Sequence, residues 1–150
     1  MSTTAYTIAE SIRTAIKANY TAKLELANSE DLEQNTTYLL KDGFDVSVGA
    51  SENTGEMHGR GIASSRDMSI ILTKKVYDGD LQNTSRHETE QELFKELIDI
   101  GSLLTSDNTV VRLVNSLEVV GDNGINIINA DKIKHLTTTL DISIKYVEFY

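Results

Sequence analysis

Residues 136–146 read Leu136-Thr137-Thr138-Thr139-Leu140-Asp141-Ile142-Ser143-Ile144-Lys145-Tyr146. From Leu140 onward apolar and polar side chains alternate without a break, the two-residue period of a strand with one buried face. The buried set is even-numbered: Leu140, Ile142, Ile144 and Tyr146. Asp141, Ser143 and Lys145 point the other way. Past Tyr146 the phase changes, because Val147 and Phe149 join from the opposite parity and the sequence runs on to Tyr150. An apolar ending of this kind is expected to be tied into a sheet or an interface.

The same alternation recurs upstream. A strand within Tyr38 to about Ala50 sets Phe44, Val46 and Val48 against Asp45 and Ser47, and a second from Arg66 to Tyr77 carries Met68, Ile70 and Leu72 on one face. Two helices separate the strands. Ala5, Ile8, Ala9, Ile12, Ile16 and Tyr20 recur at three- and four-residue steps, predicting a helix over 5–20. Ser85 and Glu88 read as a capping box that opens a helix over 86–104, with Glu88, Glu90 and Glu92 near its start. Its expected buried stripe is Leu93, Phe94, Leu97, Ile98, Ile100 and Leu104. A third strand is predicted over Val110–Val120. Gly121-Asp122-Asn123-Gly124 then reads as a turn, followed by a short strand-like run at 125–128. Residues 21–37 carry no assignable pattern. Residues 51–65 hold Gly55, Gly59 and Gly61 without apolar periodicity, and read as a mobile loop or a hairpin arm ordering only against a partner.

The resulting order is αββαββ. It predicts one α+β domain over residues 1–150, with a roughly four-stranded antiparallel or mixed sheet and both helices on one face. The order is also a circular permutation of the ferredoxin-like βαββαβ unit, which by itself assigns no function.

Composition narrows the chemistry. At 150 residues the chain favours one domain with its own core. There is no cysteine, so disulfide, thiolate-zinc and Cys-nucleophile chemistries are excluded. Fourteen Lys+Arg against twenty-three Asp+Glu leave a net charge of −9, which argues against gripping nucleic-acid phosphates. There is no proline, which excludes PPII ligands and proline linkers. The opening residues Met1–Tyr6 lack a secretory pattern and no window approaches a membrane span of about 20 apolar residues, so a cytoplasmic protein with no membrane association is expected.

No catalytic, cofactor-binding or metal site is expected. His58, His87 and His135 lie far apart without helical partners. Asp78-Gly79-Asp80 fails as a calcium loop, because the sixth and twelfth positions would be Asn83 and Thr89. Gly59-Arg60-Gly61 is too short for a phosphate cradle. What remains is apolar surplus. The third strand carries Val111, Leu113, Leu117 and Val119 on one face and Val110, Val114 and Val120 on the other. Helices cover one face only, so Val110, Val114, Val147 and Phe149 are candidates for a subunit interface. Gly55, His58, Gly59, Arg60 and Gly61 form the candidate mobile arm.

With its N-terminal amphipathic helix, the strand Gly43-Phe44-Asp45-Val46-Ser47-Val48-Gly49, a glycine-bearing loop, the strand Met68-Ser69-Ile70-Ile71-Leu72-Thr73 and a helix opening Arg86-x-x-x-Glu90-x-x-Leu93, the chain resembles the tail terminator proteins of tailed phages. The likeness is of layout and spans roughly residues 4–149; residues 21–37 and 121–124 do not match. It implies a structural virion protein rather than an enzyme. Such a protein is a homohexameric ring that caps the tail tube and stops its polymerisation. It would contact the tail tube protein on one side and a head–tail connector or stopper protein on the other. It would let DNA pass without sticking, need no cofactor, and reside in the host cytoplasm before joining the virion neck. The alternatives are a sibling neck protein or a ferredoxin-like regulatory module that binds a small molecule.

Overall fold

The strand read from Leu136 extends from Ile133 to Glu148 and lies at the middle of the sheet beside Gly61–Val76. A computed structural model describes residues 3–20, 24–25, 43–58, 61–76, 83–130 and 133–148; of these, 24–25, 53–58, 75–76, 83–86, 128–130 and 133–135 are described as backbone alone. Elements run α1 (Ala5–Asn19), β1 (Leu24–Glu25), β2 (Gly43–His58), β3 (Gly61–Val76), α2 (Asn83–Ser106), α3 (Asn108–Leu113), β4 (Ser116–Asp122), β5 (Asn126–Ala130) and β6 (Ile133–Glu148). The chain is an α+β fold, as the alternation predicts.

The sheet order is β1-β2-β3-β6-β4, with β5 also on β6. The expected four strands are thus joined by two short ones, and β1 makes the sheet mixed by pairing parallel to β2. β3 and β4 each run antiparallel to β6 and hence parallel to one another, with β6 between them. Parallel strands need a crossover, and α2 with α3 supplies it. β2 and β6 are likewise parallel to one another about β3, but no direct connection joins them. The order β2-β3-β6-β4 with this one crossover is the arrangement that a permuted ferredoxin-like order calls for.

Even-numbered residues of the central strands face the helices. Phe44, Val46, Met68, Ile70, Leu72, Leu136, Leu140, Ile142, Ile144 and Tyr146 are all buried there. They meet Ile8, Ile12 and Ile16 of α1, Leu93, Leu97, Ile100 and Leu104 of α2, and Val110 of α3 in one cluster. Thr4 caps α1: its Oγ1 accepts the Thr7 amide at 3.4 Å, and its own amide donates to Thr7 Oγ1 at 3.4 Å. Because α2 begins at Asn83, Ser85 sits inside its first turn rather than at the N-cap position that the expected capping box requires.

Three further expectations are corrected. Residues 108–113 are helix rather than strand: Asp107 Oδ1 accepts the amides of Thr109 and Val110 at 3.0 and 3.1 Å, which nucleates a turn that the β-branched Val110-Val111 pair disguises. Residues 51–58 and 61–65 are the paired strands of a hairpin, the second of the two expected forms, rather than a loop, since Ser51, Glu52 and Asn53 stand opposite Arg66, Ser65 and Ser64. The β3 half is held again on its far side, where Ile62 to Arg66 pair with Glu148 to Ile144. Backbone partners on both sides replace the apolar periodicity whose absence suggested a loop. β2 carries a bulge between Val48 and Ser51; there a Cβ on Gly49 would stand 2.8 Å from the Asp67 carbonyl oxygen, so the close approach requires glycine.

The third correction concerns Gly121–Gly124, which is no hairpin turn. β4 and β5 run in one direction along the same side of β6, and residues 123–125 are a kink within a single edge. The Asn123 amide donates to the Thr139 carbonyl at 3.2 Å while Asn123 Oδ1 accepts the Thr139 amide at 2.8 Å. Asp122 Oδ1 accepts the Gly124 amide at 2.8 Å, and Gly124 adopts φ +75°. Asn-Gly does serve positive φ here, but to step the strand sideways rather than to reverse it.

Candidate functional site

The sheet presents two different surfaces. On the side away from the helices, odd-numbered residues of β2, β3 and β6 and the even-numbered Glu118 of β4 form polar rows across the strands. Ser47, Ser69 and Asp141 stand abreast, as do Asp67, Ser143 and Glu118. Ser69 Oγ donates to Asp141 Oδ1 at 3.0 Å. Asp67, Glu118 and Asp141 are exposed there, with Lys145 as an exposed cation. Asp45 lies at the β2 side of this face, half-buried, with Arg13 Nη2 4.0 Å away and that same group donating to the Val46 carbonyl at 2.9 Å. Among the described residues this face is rich in hydroxyls and carries more carboxylates than cations, a balance that disfavours polyanions.

The second surface is apolar and borders the β4–β5 edge. Phe94 and Ile98 of α2, expected in the core stripe, are instead 48% and 55% exposed. Val119 and Ile127 on the adjoining strands are 44% and 42% exposed. Between α2 and β4 lies a groove of about 340 Å³ floored by Leu97, Gly101 and Leu140 and walled by Ile98, Val119 and Asp122. The expected leftover apolar surface therefore exists, but it is a strip beside the sheet edge and not the uncovered face.

This placement changes the interface candidates. Val110 is fully buried in the core and presents nothing to a neighbour. Val114 follows α3 and packs, half-buried, against the core. Val147 does stand on the uncovered face, half-buried and opposite Ala63, whereas Phe149 lies outside the described residues. Of the candidate arm, Gly55 and His58 belong to β2, and Gly61 opens β3 opposite His58 and is buried; Gly59 and Arg60 lie outside the described residues. The exposure of Phe94 and Ile98 has one signal in sequence: they sit at i and i+4, a second stripe beside Leu93, Leu97, Ile100 and Leu104, making α2 apolar around more of its girth than one buried face requires.

Besides Arg13 with Glu10 and Asp45, ionisable groups among the described residues cluster at two further places. At the distal end of the sheet, Arg66 Nε donates to the Tyr146 hydroxyl at 3.1 Å and Nη1 to the Gly49 carbonyl at 2.8 Å, with Nη2 3.8 Å from Glu148. Glu148 Oε1 also accepts the Ala5 amide at 3.3 Å, placing a carboxylate at the N-terminus of α1. Burial holds the Tyr146 phenol above its ordinary pKa, opposed by the Arg66 hydrogen bond. Further along, Lys74 Nζ lies 3.1 Å from Glu96 and 3.4 Å from Glu92, tying β3 to α2. Burial, then Asp99 and Glu96, push the Tyr20 phenol up. Both clusters link elements of the fold.

Among the described residues no three His, Asp or Glu side chains converge as a metal site, and no described helix is long and apolar enough to cross a membrane. His87 is exposed, with Nδ1 3.6 Å from Glu90. Asp78–Asp80, the rejected calcium loop, lies outside the described residues. No protein-family model matches this chain, and no curated protein matches it.

Proposed function

We propose that the protein is a ring-forming structural subunit of a phage tail, a tail terminator that caps the tube and passes DNA without holding it. The observation that carries this reading is the uncovered sheet face, where Asp67, Glu118 and Asp141 stand exposed among serines and threonines. A ring that turns this face inward lines its channel with hydroxyls and carboxylates, to which phosphates do not adhere. Subunit contacts fall to the apolar strip of Phe94, Ile98 and Val119, with a second copy as its occupant. The tail tube protein and a connector protein flank the ring, and the virion neck is its final location.

Light scattering coupled to size exclusion tests the reading: a hexamer is expected, and Ile98→Asp should dissociate it while circular dichroism stays unchanged. Reversing Asp67, Glu118 and Asp141 to lysine should make DNA adhere where the wild type does not retain it. A protein that remains monomeric at high concentration, and also with tail tube protein present, defeats the proposal. The groove beside Val119 favours one rival, a ferredoxin-like module that binds a small apolar molecule, since its size suits such a ligand. A dimeric mass together with a small molecule recovered from the purified protein would select that rival.

A further inference from the structure

Among the described residues β2 beyond Phe44 and the β4–β5 side are both open edges, and the β4–β5 edge is the more apolar of the two. Among the described residues no strand lies beyond it. Such edges are ordinarily blunted by lysine, proline or a covering element. Residues 116–130 contain no lysine, arginine or proline. Ile125-Asn126-Ile127-Ile128-Asn129-Ala130 is uncharged and strand-prone, the composition of a segment that templates its own stacking. Val120 is 67% exposed on the same edge.

Two irregularities interrupt that edge. Val119 pairs with Ile142 and Gly121 with Asp141, leaving Val120 as an extra residue. Asp122 pairs with Leu140 and Asn126 with Thr137, so residues 123–125 face only Thr139 and Thr138. The second interruption costs β6 little, because Asn123 exchanges both hydrogen bonds with Thr139 through its own amide and side chain. Thr139 thereby keeps its hydrogen bonds, while the two extra residues break the regular run that a further strand would need.

We infer that the Val120 bulge and the Asp122-Asn123-Gly124 kink are a built-in guard that stops the exposed sheet edge from adding a further strand, whether from a second copy or from another chain. The inference is independent of the ring reading, which uses side chains of α2 and β4 rather than the edge ladder. The guard is removable without moving any side chain to the wrong face. Deleting Gly124 sets Asn123 and Ile125 opposite Thr139 and Thr138 in step, and deleting Val120 does the same for Val119 and Gly121.

The test compares wild type with each single deletion and with both together. Folding is checked by near-UV circular dichroism, and assembly by sedimentation and thioflavin fluorescence. The deletion variants should fold and acquire open-ended, concentration-dependent growth with an intermolecular β signature. Adding Ile127→Lys to the same variants should suppress that growth. Leu97→Ala is the control for lost stability: growth matching that of the deletions would mean that destabilisation drives it and would overturn the inference. Folded deletion variants of wild-type mass would also overturn it. So would failure of every deletion to fold, since the extra residues would then serve the fold rather than the edge.

Discussion

The two faces of β3 and β6 are made by the same backbone and differ in every other respect. Met68, Ile70 and Leu72 alternate with Asp67, Ser69 and Ile71, and Leu140, Ile142 and Ile144 with Asp141, Ser143 and Lys145. α2 presses on the first set, and α1 and α3 join it in one core, while the second meets solvent with a hydrogen-bonded Ser69–Asp141 pair among hydroxyls and carboxylates. Stability resides on one face and electrical character on the other. Side chains on the uncovered face are thus free to be chosen for what they repel or attract, because few of them hold the fold.

The sharpest way to break this comparison is to make matched truncations on either side. Leu97→Ala, beneath α2, should cost about 2–5 kcal/mol, the range for a buried leucine. Asp141→Ala, on the uncovered face, should change stability by no more than about 0.5 kcal/mol. Urea unfolding of both variants checks the pair, and a cost for Asp141→Ala equal to that of Leu97→Ala would erase the distinction.

A middling effect is expected at Tyr146, where the apolar face carries a polar tip. Tyr146→Phe should cost about 1 kcal/mol near neutral pH through the lost Arg66 hydrogen bond. Because burial raises the phenol's pKa in the folded protein, the unfolded chain gives up this proton first as pH rises. The associated stability is complete below about pH 10, the unfolded value, and is lost as pH climbs through the higher folded one. Stability measured across that window should therefore fall less steeply in Tyr146→Phe than in wild type.

The smallest effect sharpens the comparison at its exception. Thr138 lies on the helix-covered face, fully buried, with its Oγ1 lacking a hydrogen-bond partner among the described residues. Thr138→Val should be neutral or stabilising by up to about 1 kcal/mol, since it removes a desolvated hydroxyl at nearly constant shape. A clear loss in thermal unfolding would mean that the hydroxyl is satisfied and that the face is less apolar than its other residues indicate.

The covered face is legible in the sequence through periodicity alone. The even-numbered residues of β2, β3 and β6 and the spacing of Ile8, Ile12 and Ile16 each admit one physical explanation. Misreading enters where a local pattern admits two. Val110-Val111 has strand composition, yet Asp107 caps a helix there, and reading 110–114 as strand assigns faces by a parity that does not apply to a helix. The interface candidates Val110 and Val114 follow from that parity and fall with it. Residues 51–58 lack an apolar pattern because backbone pairing across the hairpin to residues 61–66, which are held in turn by residues 144–148, orders them. The exposure of Phe94 and Ile98 depends on how far β4 reaches beneath α2, which no local pattern records.

The pairing of β3 with β6 also bears on how the chain reaches this state. Ile62 lies opposite Glu148 and Val76 opposite Lys134, so the two central strands come from segments far apart in sequence. The β2–β3 hairpin closes locally, but β4 has no strand to pair with until β6 arrives between it and β3. Long-range pairing of this kind delays closure, because the entropy of a large loop is lost before its contacts form. Docking of β6 against β3 is therefore expected to be the slow step of folding, during which β3 keeps one edge unpaired.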